Sequence, residues 1–166
     1  MEIIDELAAM PDALERLFAQ VPVEALGWQP ESWDGFPGET FWASGQVCHV
    51  RDIEIDGYQC RIARLLKEER PLLASIDSYA LARERRYGEQ DPIAALSAFR
   101  KVRALTVETL REVRSADWAL CSDFEGYGPV TLAGLVQFLR SHDQQHLACI
   151  HWLMGKIHSF SAAPSR

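Results

Sequence analysis

Apolar residues recur every three or four positions along most of the chain, the period of an amphipathic helix. Leu14, Leu17 and Phe18 set the first stripe, predicting a helix over roughly residues 11–20 with Pro11 at its start. A second run carries Val47, Val50, Ile53, Ile62, Leu65 and Leu66, predicting a helix from about Ser44 to Glu69 that Pro71 stops. Asp91 and Pro92 form a strong helix start. Behind them Ile93, Leu96, Phe99, Val102, Leu105, Leu110 and Val113 make a third stripe. Thr131 can cap a fourth helix, expected to run to about Lys156.

Between these helices the pattern breaks. Residues 22–40 are rich in Pro, Gly and Trp and read as an ordered loop packed by its aromatic side chains. Residues 77–87 suit a short extra helix, and residues 118–130 a loop with a small hairpin. The sum is an all-α bundle of four main helices, with residues 1–166 as a single domain.

The fourth stripe holds the informative residues. Leu135, Leu139, His142, His146, Cys149 or Ile150, and Leu153 follow one another at steps of three or four, so two histidines occupy core positions. Four residues on a helix bring side chains back to within about 40° of each other, so His142 and His146 project side by side. Five histidines in 166 residues give such a pair by chance in about one sequence in seven, so the spacing carries little and the placement carries more. A buried imidazole must satisfy two ring nitrogens. A metal ion satisfies one on each ring, leaving the other for an acceptor behind it.

His49, beside the stripe of the second helix, is the best third ligand. Its neighbours Asp52 and Asp56 are candidate acceptors or proton carriers behind it, against the commoner role of surface ion pairs. Zinc, nickel, iron and manganese all accept imidazole, so the residue types do not choose among them. HDQQH also resembles the HExxH of zinc proteases, but Asp143 is shorter than glutamate and no third-ligand motif follows. His151 projects about 140° from His146 on a helix, and His158 is expected in a tail beyond Gly155. Cys149 lies nearly over His142 but is expected to pack as a small apolar residue.

A formal charge of -7 argues against nucleic acid or an anionic membrane as partner. No apolar run approaches the ~20 residues of a membrane span, and the acidic start lacks the basic residues of a secretory signal. A cytoplasmic location with reduced cysteines is the expectation.

FWASGQV, then His49 in HVRDIE, the helix DPIAALSAFRKVR and a distant HxxxH resemble the DinB/YfiT-like superfamily over nearly the whole chain. HVRDIEIDGYQCRIARLLKEERPLL is especially similar to a DinB-like branch of it. The resemblance implies an up-down-down-up-type four-helix bundle, frequently a homodimer, in which His49, His142 and His146 bind a divalent metal. It further implies a thiol S-transferase using a low-molecular-weight thiol, or a hydrolase, acting on a small molecule; the alternative is a non-catalytic, stress-associated dimer that binds a metal or ligand. Trp28, Trp33, Phe36 and Trp42 are candidate pocket walls, with packing of the loop onto the bundle an equal reading.

Overall fold

A computed structural model describes residues 2–161. Four long helical runs form the bundle: α1 (Glu2–Phe18), a continuous run made of α2 (Ala43–Asp52), a π-helical segment (Ile53–Gln59) and α3 (Cys60–Lys67), then α5 (Pro92–Arg111) and α6 (Leu132–Ser161). A short helix, α4 (Ser78–Glu84), lies between α3 and α5. Helix α1 packs against α5 and α6, and α2 packs against the same two. The order around the bundle is therefore α1, α5, α2, α6, and chain neighbours α1 and α2 stand on a diagonal. Long connections over residues 19–42 and 112–131 make such diagonals reachable.

The caps behave as their chemistry requires. Asp91 Oδ1 accepts from the Ile93 amide at 2.9 Å, Asp77 Oδ1 from Ala80 at 2.9 Å, and Thr131 Oγ1 from Gly134 at 3.1 Å. Two helix bounds depart from the sequence expectation. Helix α1 starts at Glu2 and carries Pro11 inside it, because Ile4 and Leu7 are buried and extend the stripe toward the N-terminus. A proline there leaves the carbonyl of Leu7 without its helical donor, and Arg103 Nη1 donates to that oxygen at 3.2 Å. Helix α6 continues past Gly155 to Ser161, with the Ser159 hydroxyl bonded to the Gly155 carbonyl, so His158 lies on the helix and not in a tail.

The expected helical architecture also gains a three-stranded sheet, β1 (Leu72–Leu73), β2 (Cys121–Phe124) and β3 (Gly128–Thr131), in the order β1-β2-β3. β1 pairs parallel with β2, with Leu73 opposite Phe124; β2 and β3 form the antiparallel hairpin. Gly126 and Gly128, at φ +83° and +81°, supply the left-handed backbone that its tight turn needs. Two-residue contact with β1 holds this hairpin over one end of the bundle.

Two apolar clusters fill the interior. One joins Leu14, Phe18, Val47, Val50, Phe99, Ile150 and Leu153; the other joins Leu7, Ile62, Leu65, Val107, Leu110, Leu135 and Leu139. A layer of buried polar side chains from the π-helical segment, α5 and α6 lies between them. At its centre Arg103, 1% exposed, uses all five N–H groups. Nε and Nη2 donate to Glu54 at 3.0 and 2.9 Å, Nη1 and Nη2 to Asp143 at 2.6 and 2.9 Å, and Nη1 to Leu7. The Thr106 hydroxyl adds a further bond to Glu54.

The third stripe needs correction in this light. Ile93 and Leu105 are exposed, while Arg103 and Thr106 turn inward. No helix of the described residues is long and apolar enough to cross a membrane, and all four cysteines are free thiols.

Candidate metal centre

The polar layer opens on one side into a cluster of imidazoles. His49 comes from α2, and His142 and His146 from adjacent turns of α6, which packs against α2. His142 Nε2 lies 3.2 Å from His49 Nε2 and 3.0 Å from His146 Nε2. A fourth group, absent from the sequence reading, joins them. Glu39 Oε2 stands 2.9 Å from His49 Nε2 and 3.5 Å from His146 Nε2, and one donor atom from each of the four residues falls within 4.8 Å of all the others.

Hydrogen bonding alone does not account for this arrangement. His142 Nε2 faces two other bare ring nitrogens, and a neutral imidazole carries only one N–H, so it can donate to one at most. Burial also disfavours the protonated form of His142 and His146. The His142 pKa is driven well below its ordinary value, first by burial and then by His146, His49, Arg103 and Arg61. That of His146 is pushed down to about 3, by burial first and then by His49, with Glu39 opposing. Ligands about 2.1 Å from a divalent ion sit about 3.4 Å apart on a tetrahedron and about 3.0 Å apart at neighbouring octahedral positions. The observed separations fit such an ion.

The tautomer of His146 follows from the groups behind it. Gln46 Nε2 donates to the carbonyls of Glu39 at 3.1 Å and Phe41 at 2.9 Å, which fixes its amide so that Oε1 faces the ring. His146 Nδ1 must then be the donor to Gln46 Oε1. Its Nε2 is left as a lone pair aimed into the cluster, the form that binds a metal. Gln46 Nε2 also approaches Cys149 Sγ at 3.0 Å. Burial, with the charge of Glu39 second, pushes that thiol up to about 12, so Cys149 stays a packed thiol.

Glu39 keeps its charge. Burial raises its pKa, but the hydrogen bond and charge of His49, followed by Ser78 and His146, outweigh it and hold it at about 2. So weak a proton acceptor suits an anionic ligand better than a base. Its place in the PGETFW loop, rather than on a helical stripe, left no periodic signal to find it by. Gln46, one turn before His49, had such a position and was overlooked because amides carry no metal-ligand signature.

Asp52 and Asp56 take the ion-pair role, the commoner of the two expected of them. Asp52 Oδ1 is held by Arg51 at 2.7 Å and Arg85 at 2.8 Å, Asp56 pairs with Arg85 at 2.6 Å, and His49 Nδ1 is buried without a partner among the described residues. Asp143 faces Arg103 and not the cluster. His151 is exposed.

The tryptophans do not wall the site either. Trp33 stacks on Trp152 with centroids 5.3 Å apart, tying the loop to α6. The cavity beside the imidazoles, about 640 Å³, is walled instead by Ile53, Tyr58, Phe124, Tyr127 and Phe138, with Glu39, His49, His142 and Arg61 among its polar lining.

The π-helical segment creates this wall. At 100° per residue, Tyr58 would stand about 180° from His49 on an unbroken α-helix, and Arg61 about 120°. The wider turn takes up an extra residue, and both side chains share the cavity with His49.

Residues 6–150 match the sequence profile of the DinB superfamily. The fold superposes on that of YfiT from Bacillus subtilis with a TM-score of 0.82 at 18% identity, over 95% of this chain and 86% of that one. YfiT is described as a probable metal-dependent hydrolase with an unusual four-helix bundle topology. No curated relative matches the chain.

Proposed function

The chain belongs to the DinB superfamily, and from that premise we propose that it is a metal-dependent enzyme acting on a small molecule. Its reaction on this reading is hydrolysis, or transfer of a low-molecular-weight thiol. The observation that carries the reading is the convergence of three imidazoles and one carboxylate at the edge of a cavity of small-molecule size. The description of YfiT as a probable metal-dependent hydrolase supports the same direction.

On this reading His49, His142, His146 and Glu39 hold a divalent ion. Once bound, such an ion supplies Lewis acidity and lowers the pKa of a water or thiol that reaches it. A divalent metal that accepts imidazole and carboxylate would fit this donor set, with zinc, nickel, iron and manganese all candidates.

The chain's own groups do the rest. Burial keeps the His142 and His146 rings neutral, and Gln46 fixes the His146 tautomer. Ile53, Phe124 and Phe138 exclude bulk water from one side of the cavity. Burial also raises the Tyr58 pKa, so its phenol stays protonated; the hydroxyl has no partner among the described residues and can donate to a substrate oxygen. The buried Cys48 and Cys149 thiols, pushed up to about 11 and 12 by burial, are not nucleophiles at neutral pH. A thiol reaction would therefore use an external thiol.

The test is turnover by protein loaded with manganese, nickel or zinc. It would be assayed on ester and amide panels, with and without glutathione or bacillithiol, beside His142→Ala. Metal-dependent turnover lost in the variant supports the reading, and the thiol requirement decides between the two reactions. Metal binding without turnover on any panel would instead favour a non-catalytic metal-binding protein.

A further inference from the structure

Two arginines are buried among the described residues, and their surroundings are opposite. Arg103 has two carboxylates and an acceptor for every N–H. Arg61, on α3 and 7% exposed, satisfies two of its five: Nε and Nη2 donate to the Ala74 carbonyl at 3.2 and 2.8 Å. No carboxylate among the described residues pairs with it. Burial pushes its pKa below the usual range, and only Tyr58, Tyr127 and Cys60 act against that. A cation taken from water without a counter-charge is costly, and its fork is shaped for a planar, two-oxygen anion.

The guanidinium is held ready. Its Cζ lies 4.6 Å from the Phe124 ring centre and 5.6 Å from that of Tyr58, which restricts its tilt. Nη1 passes over Gly57, where a Cβ would come within 2.8 Å of it. With Nε and one Nη2 hydrogen committed to Ala74, the edge formed by Nη1 and the second Nη2 hydrogen has no acceptor. Arg61 lines the same cavity as His49 and His142, and Tyr58 stands between, its ring 5.7 Å from that of His142.

We propose that Arg61 recognises a carboxylate on the small-molecule substrate, gripping both oxygens with the free Nη1/Nη2 edge and presenting the rest of the molecule to the histidines one ring's width away. The metal-centre reading enters only for what happens at that far end; the carboxylate site stands without it. No other lysine or arginine lines the cavity among the described residues, and Glu39 adds a negative charge. A singly charged carboxylate suits this balance better than a phosphate, which draws several cations.

Calorimetric titration of the purified protein with 3-phenylpropanoate and with its neutral amide tests this. The acid should bind about tenfold or more tightly than the amide, as a two-pronged ion pair requires. That preference should disappear in Arg61→Gln, shrink in Arg61→Lys, which keeps the charge but not the fork, and survive treatment of the native protein with a chelator. Circular dichroism verifies the fold of each variant, and the acid–amide comparison in the native protein needs no variant at all. Equal behaviour of acid and amide, including no binding of either, would overturn the proposal. So would a preference that persists in Arg61→Gln, is undiminished in Arg61→Lys, or is lost on chelator treatment, where a metal would have been holding the acid. Inorganic phosphate binding more tightly than the acid would overturn it as well.

Discussion

At the scale of single residues, the site is built by withholding protons. His142 and His146 are buried neutral, so the unfolded chain binds protons near pH 6.5 that the folded chain refuses until far lower pH. The unfolded state then holds more protons across that window, so stability rises with pH through it and falls as pH drops below about 6.5. Chelator-treated protein should therefore lose stability between pH 7 and pH 5, by up to about 1.4 kcal/mol per pH unit for each such ring. Urea melts at the two pH values should show a smaller loss in His146→Gln; an identical loss would mean the ring is not held neutral. Gln46 acts through His146. Gln46→Leu removes the acceptor that fixes the tautomer and should weaken metal affinity about 10- to 100-fold, read by competition with a chromophoric chelator. Unchanged affinity would show that Gln46 merely packs.

At the scale of elements, the same helices carry both the fold and the site, and the sequence shows them unevenly. The HxxxH pair on α6 could be read because two polar residues interrupt an otherwise apolar stripe at core positions. His49 could be read because it borders a second stripe. The π-helical segment also left a trace: from Ile53 to Ile62 the stripe of the second helix advances nine positions, half a turn out of phase for an α-helix. Glu54, Tyr58 and Arg61 lie within that gap, and all three turn inward.

Arg103 was hidden for a related reason. Its partners, Glu54 and Asp143, lie 49 and 40 residues away in sequence, so nothing local marks it as buried. Glu39 belongs to a loop, where no period operates. Because Arg103 ties α5 to α1, α6 and the π-helical segment, Arg103→Met strands two buried carboxylates and should destabilise the protein by about 3–5 kcal/mol in urea denaturation. A cost below about 1 kcal/mol would show that the layer is dispensable to stability.

At the scale of the whole molecule, two apolar clusters hold four helices in a ring of neighbours, and the layer between them is given over to charge. One side of that layer is a closed ion-pair network; the other opens through the imidazoles into the cavity that the sheet and the π-helical segment wall off. The open side is where a divalent ion would be held. Elemental analysis of untagged native protein beside His142→Ala, each verified as folded by circular dichroism, measures that directly. Close to one equivalent of a divalent metal per native chain, and almost none in the variant, is the predicted result; no metal in either, or the same amount in both, would contradict it.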